Sequence, residues 1–157
     1  MKTGTDGSQH GRVVVCGSMA FEREMAHVAS LLCDMGVPAI SPDFDDPAVI
    51  AARSSDVEGY RAYKREVSMR HFNKILDPRT SGVLVANYEK HGKPGYIGPN
   101  TFAEISVAFA HGRQIWLLNE VPEHYEDELT AWGAVVVGSN LSAHEWIPRV
   151  SPTSIDK

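Results

Sequence analysis

The chain has 157 residues, 43% of them apolar, which suits one soluble globular domain with a sizeable core. Its net charge of −5 gives no bulk electrostatic case for binding polymeric nucleic acid or an anionic membrane. Its unbroken apolar runs fall far below the ~20 residues of a membrane helix, so a cytoplasmic protein away from membranes is expected.

The first eleven residues, MKTGTDGSQHG, lack the apolar stretch of a secretory signal and are expected to form a flexible leader. RVVVCGS (12–18) is a β-branched run, apolar on both sides, as in a buried parallel strand. Residues 20–36 follow with helical spacing at Met25, Val28, Leu31, Leu32 and Met35, and Gly36 suits the C-terminal cap. VPAISPD (37–43) is a second strand, which makes a right-handed βαβ unit. Residues 44–56 are turn-rich and predict a loop or inserted flap. Residues 56–76 predict a helix opened by Asp56, with an imperfect apolar face of Tyr60, Tyr63, Val67, Phe72 and Ile75.

SGVLVAN (81–87) is a third strand, and YEKHGKPGYIGP (88–99) is a loop. NTFAEISVAFAHG (100–112) is a helix that Asn100 or Thr101 can cap and Gly112 can end. QIWLLN (114–119) is a fourth strand, 121–133 a short acidic helix, and AVVVG (134–138) a fifth strand. One domain over 12–148 is expected, with a disordered tail over 149–157. Alternating strands and helices predict a doubly wound parallel α/β sheet, of flavodoxin-like order 2-1-3-4-5. Ligands of such sheets bind beyond the carboxyl ends of the strands. Those ends are Gly17 and Ser18, Pro42 and Asp43, Asn87 and Tyr88, and Asn119.

Glu104 is the first candidate for chemistry. It ends the stretch GYIGPNTFAE (95–104) and has two readings. It can complete a capping box with Asn100 or Thr101, or it can be a carboxylate at a pocket rim beside free backbone N–H groups. Gly17, Ser18 and Met19 form a second group, where a glycine after the first strand lets backbone amides approach a phosphate or ribose. There is no GxGxxG fingerprint and no P-loop, so no dinucleotide cofactor is expected. His71 and Asn73 form a third group, with packing as the alternative role of the histidine. Asn87, Tyr88, Glu89 and His91 can read a base or sugar, or belong to a solvated loop. The seven histidines show no HExxH-like spacing, so no metal site is expected. Cys16 and Cys33 show no metal spacing either, and are expected to be reduced, buried thiols.

Taken together, VVVCGSM, HFNKI and GVLVANYEKHGKPGYIGPNTFAEISVAFAHGRQIWLLN resemble the nucleoside 2-deoxyribosyltransferase superfamily, which includes nucleoside 5′-monophosphate N-glycosidases. The resemblance spans about residues 12–120 and is most specific over 81–119. It implies that Glu104 is a nucleophile attacking C1′ of the sugar of a small-molecule nucleoside or nucleotide, through a covalent glycosyl-enzyme that water or a second base resolves. It implies that Gly17 and Ser18 line the sugar or phosphate site, and that Gly98, Asn100 and Thr101 form the loop before the nucleophile. It also implies a homodimer or larger homo-oligomer, with a neighbouring chain completing the pocket.

The chain departs from the family pattern as well. No carboxylate stands in residues 71–74, and Gly82 replaces the acid that often precedes the third strand, with Asp77 five residues earlier. The proton for the leaving base is therefore unassigned, with Asn73, Asn87 or Asp43 as the groups to examine. A cytokinin-type phosphoribohydrolase and a non-catalytic nucleotide-binding sensor are the competing readings.

Overall fold

A computed structural model describes residues 11–138 and 141. Residues 1–10 of the expected leader and all of the expected tail over 149–157 lie outside the described residues.

The five expected strands form, each shorter than the segment expected for it: β1 (Arg12–Cys16), β2 (Ala39–Ile40), β3 (Thr80–Val85), β4 (Gln114–Leu117) and β5 (Val135–Val136). They pair in parallel in the order β2-β1-β3-β4-β5. The chain therefore reverses direction across the sheet between β1 and β3, which opens a crevice beyond their carboxyl ends.

Side chains alternate along a strand, and this alternation sorts the core into two layers. Val13 and Val15 pack with Met25, Val28 and Leu32 of α1 (Glu22–Asp34). Val14 and Cys16 face the opposite way. Their layer also holds Ile75 of α3 (Val57–Leu76), Ile105 and Ala108 of α4 (Pro99–Ala110) and Leu129 of α5 (Glu126–Ala131). Gly82 is needed at the β3–β4 pairing, because a Cβ there would run into the Trp116 ring.

Four expectations need correction. Residues 44–56 are not all loop: α2 (Pro47–Arg53) forms within them, with Pro47 in its first turn and the Asp46 carboxylate accepting from Ala48 N at 2.7 Å. On α1, Leu31 is exposed and Ala29 takes the core position, because a stripe through 25, 28, 29 and 32 fits the helical period better. Cys33, on the same helix, is exposed rather than buried. On α3, only His71 and Ile75 are buried, so the helix does not lay the expected apolar face on the sheet. Most of that face borders a cavity instead.

Candidate active site

Three elements deliver one functional group each to the crevice. Cys16 is the last residue of β1, and its alternation with Val15 turns it toward the α3–α4 layer. His71 lies one helical turn before the buried Ile75 on α3, on the same face. Glu104 precedes Ile105 and lies one turn after Thr101 on α4, and both of those residues are buried. The His71 Nε2 atom stands 3.4 Å from Cys16 Sγ and 3.6 Å from Glu104 Oε2.

The capping explanation for Glu104 does not hold. The N-cap of α4 is Gly98, with no side-chain cap and Pro99 in the first turn, so Asn100 and Thr101 are already helical. Glu104 is the sixth helical residue, beyond the first-turn positions where a carboxylate meets the free N–H groups. Its Oε2 is buried without a hydrogen-bond partner, as is His71 Nδ1.

Burial sets the protonation of all three groups. It raises the Glu104 carboxyl from an ordinary 4.5 to about 7, against a smaller opposing pull from the Cys16 thiol and the Lys64 charge. It lowers the His71 imidazole from 6.5 to about 4, helped by the nearby Lys74 charge. It pushes the Cys16 thiol well above its usual range, and the Glu104 carboxylate adds to that rise. Near neutral pH the histidine and the thiol are thus uncharged, and Glu104 is poised between its two forms.

The carboxyl group opens into a cavity of about 550 Å³. Its lining includes nine of the residues singled out from sequence: Gly17, Ser18, Met19, Asp43, His71, Gly98, Asn100, Thr101 and Glu104. Gly17 packs closely, and a Cβ there would crowd Met25 Sδ at 3.0 Å and the Ala86 carbonyl oxygen at 3.2 Å. Asp43 stands at the rim with its carboxylate 2.7 Å from Lys74 Nζ and 3.7 Å from Arg70.

Five candidates fall outside that lining: Asn73, Asn87, Tyr88, Glu89 and His91. Asn73 points to solvent on α3. Asn87 is fully buried as a clamp between strand ends, donating to the Asn119 and Glu120 carbonyls and accepting from Asn119 N at 2.9 Å. Tyr88 packs edge-on against Phe21 at 5.3 Å in the α1 layer. Asp77 is remote too: it ends α3 at the amino edge of β3, where Arg79 and Arg12 hold its carboxyl far below the usual carboxylate range.

The structure adds residues that the sequence did not single out. Beside His71, the face of α3 through Tyr60, Tyr63, Lys64, Val67 and Ser68 walls the cavity. Its helical period was legible, but its mixed polarity disguised a wall as an imperfect core stripe. Tyr63 donates to Asp45 at 2.9 Å and Arg70 donates to the same carboxylate at 2.7 Å, which ties the chain after β2 to α3. Lys90 is the cation that reaches the 17–18 turn: its Nζ donates to Ser18 Oγ at 3.1 Å and lies 4.9 Å over the Tyr96 ring. Lys90 and Lys93 bridge a tight turn in which His91 and Gly92 both have positive φ, and this aims the Lys90 side chain inward while His91 stays exposed.

Cys16, His71 and Glu104 also offer three metal-ligand atoms within 4.8 Å of one another. Their positions in the chain, 16, 71 and 104, have no motif spacing.

No protein-family model matches the sequence, and no curated protein matches it. Among solved structures, the chain is similar to the Clostridium botulinum CMP N-glycosidase BcmB. The identity is 16%, the match covers 82% of this chain and 89% of that chain, and the TM-score is 0.48.

Proposed function

We propose that the protein cleaves or transfers the N-glycosidic bond of a nucleoside or nucleoside 5′-monophosphate, with Glu104 as the nucleophile. The observation that carries this reading is a largely buried glutamate, not needed as a cap, whose carboxyl group opens into a cavity at the carboxyl edge of a parallel sheet. The sequence resemblance over 81–119 supports the same reading.

In this mechanism the ionised Glu104 attacks C1′ as the bond to the base breaks, and a glycosyl ester forms on its oxygen. Water or a second base then takes the sugar, and the carboxylate is released. One hard displacement becomes two easier ones through oxocarbenium-like transition states. The apolar, desolvated surroundings that raise the Glu104 pKa also make its ionised form a stronger nucleophile than a solvated carboxylate. Gly17 and Ser18 would meet the sugar or its phosphate, and Lys90 would supply the positive charge that a 5′-phosphate needs.

The homo-oligomer belongs to the same proposal. Tyr60, which lines the cavity, is 48% exposed, and Val57, one turn before it on the same helix, is 61% exposed. A second chain laid on α3 would cover this apolar surface and close the cavity mouth.

Glu104→Gln tests the central assignment, since the amide keeps the shape and loses the nucleophile. Turnover is expected to fall roughly a thousandfold or more, while calorimetry still detects substrate binding. A variant that keeps full activity would show that another group performs the attack.

A further inference from the structure

We propose that Cys16, His71 and Glu104 form a three-ligand site for a borderline-soft divalent cation, with Zn²⁺ as the best fit. The residues come from β1, α3 and α4, so the fold and not a local motif assembles them.

Ligand geometry is the first support. Zn–S and Zn–N bonds of about 2.3 and 2.05 Å at tetrahedral angles separate sulfur from nitrogen by about 3.6 Å, and nitrogen from oxygen by about 3.4 Å. The corresponding separations here are 3.4 Å for Cys16 Sγ to His71 Nε2 and 3.6 Å for His71 Nε2 to Glu104 Oε2. The second support is the unpartnered Glu104 Oε2, a buried oxygen that faces the imidazole at a distance too long for a hydrogen bond. A cation between the two atoms would give that oxygen a partner.

The donor set selects the metal. One thiolate and one imidazole favour Zn²⁺ or Co²⁺ over Mg²⁺ and Ca²⁺, which take oxygen ligands. Three protein ligands leave a fourth position for water. His71 Nδ1 has no hydrogen-bond partner, so the support that usually orients a ligating histidine is missing. Binding should therefore be reversible and weaker than at a closed four-ligand structural site. It forms Zn–S, Zn–N and Zn–O bonds and expels to solvent the Cys16 thiol proton, and the Glu104 carboxyl proton where one is present. If Glu104 is the nucleophile proposed above, an occupied site withholds it from the sugar, and Zn²⁺ inhibits base release.

The test is Co²⁺ titration of the full, chelator-treated chain, followed by absorption spectroscopy, with Zn²⁺ competition and a Mg²⁺ control. The expected result is one Co²⁺ per chain, with a thiolate-to-cobalt charge-transfer band and the intense d–d bands of a tetrahedral ion, both removed by Zn²⁺ and not by Mg²⁺. Cys33→Ser should leave the spectrum unchanged, since that thiol lies exposed on α1. Cys16→Ser should abolish the charge-transfer band, and Glu104→Gln should weaken Co²⁺ binding by more than about tenfold. With the two ligand variants in hand, misfolding of one does not spare the proposal. It is overturned by no binding, by a charge-transfer band that disappears in Cys33→Ser, or by an octahedral spectrum without thiolate character. These readouts need no turnover, so a failure of the glycosidase reading would appear separately, as metal binding without any base release.

Discussion

Glu104 and His71 shift in opposite directions for one reason: burial disfavours the charged form of each. The pH dependence of stability can separate them. Glu104, raised from 4.5 to about 7, contributes stability fully below pH 4.5 and loses it as pH rises through about 7. His71, lowered from 6.5 to about 4, contributes stability fully above pH 6.5 and loses it as pH falls through about 4. Over pH 4.5–6.5 the folded pair carries one proton, on the acid, and the unfolded pair carries one, on the base. The two slopes therefore cancel in that window. Glu104→Gln should unmask the histidine, so that melting temperature climbs from pH 4 to 6.5, and it should stabilise the protein at pH 8 by on the order of 3 kcal/mol. A melting profile parallel to that of the parent would contradict the buried, proton-bearing carboxyl. The rate should follow the same group: kcat/KM is expected to rise with pH and level off above about 7 as the nucleophile ionises, and a profile flat down to pH 5 would contradict it.

At the scale of elements, α3 is the unusual member. It has 20 residues and buries only two of them, so packing alone holds it weakly. Its ends are fixed instead. The Asp56 side chain caps the start through Gly59 N at 2.6 Å, and Arg113 binds the carbonyls of Ile75, Leu76 and Asp77 at the finish. Asp56→Ala is expected to cost about 1 kcal/mol, read as a lower denaturant midpoint at unchanged slope. No change in midpoint would mean that the cap is not limiting.

The sheet, its order and four of the five helices were legible because strand runs and helix periods are local signals. The short α2 was hidden by its turn-rich flanks. The site was legible in part. The glycines and Glu104 announced themselves by standing where a parallel sheet binds ligands. Cys16 did not, because whether a strand-end cysteine meets a histidine 55 residues away depends on which helix lies over which strand. Asn87 had the right position for a ligand contact, but its side chain is committed to clamping β3 to β4.

At the scale of the molecule, the cavity is bounded on one side by a helix whose apolar side chains are half exposed. Sedimentation or light scattering should report a dimer or larger, and Tyr60→Glu together with Val57→Glu should shift it toward monomer and slow turnover. A monomer at every concentration tested would mean that one chain forms the complete cavity. The central claim is most directly tested by chromatography of free base released from a panel of ribo- and deoxyribonucleosides and their 5′-monophosphates, with and without an acceptor base. The expected result is base release from at least one member, in water for a hydrolase or only with acceptor for a transferase, and none from Glu104→Gln. Substrates that bind without any base release would contradict the account and leave a nucleotide-binding sensor.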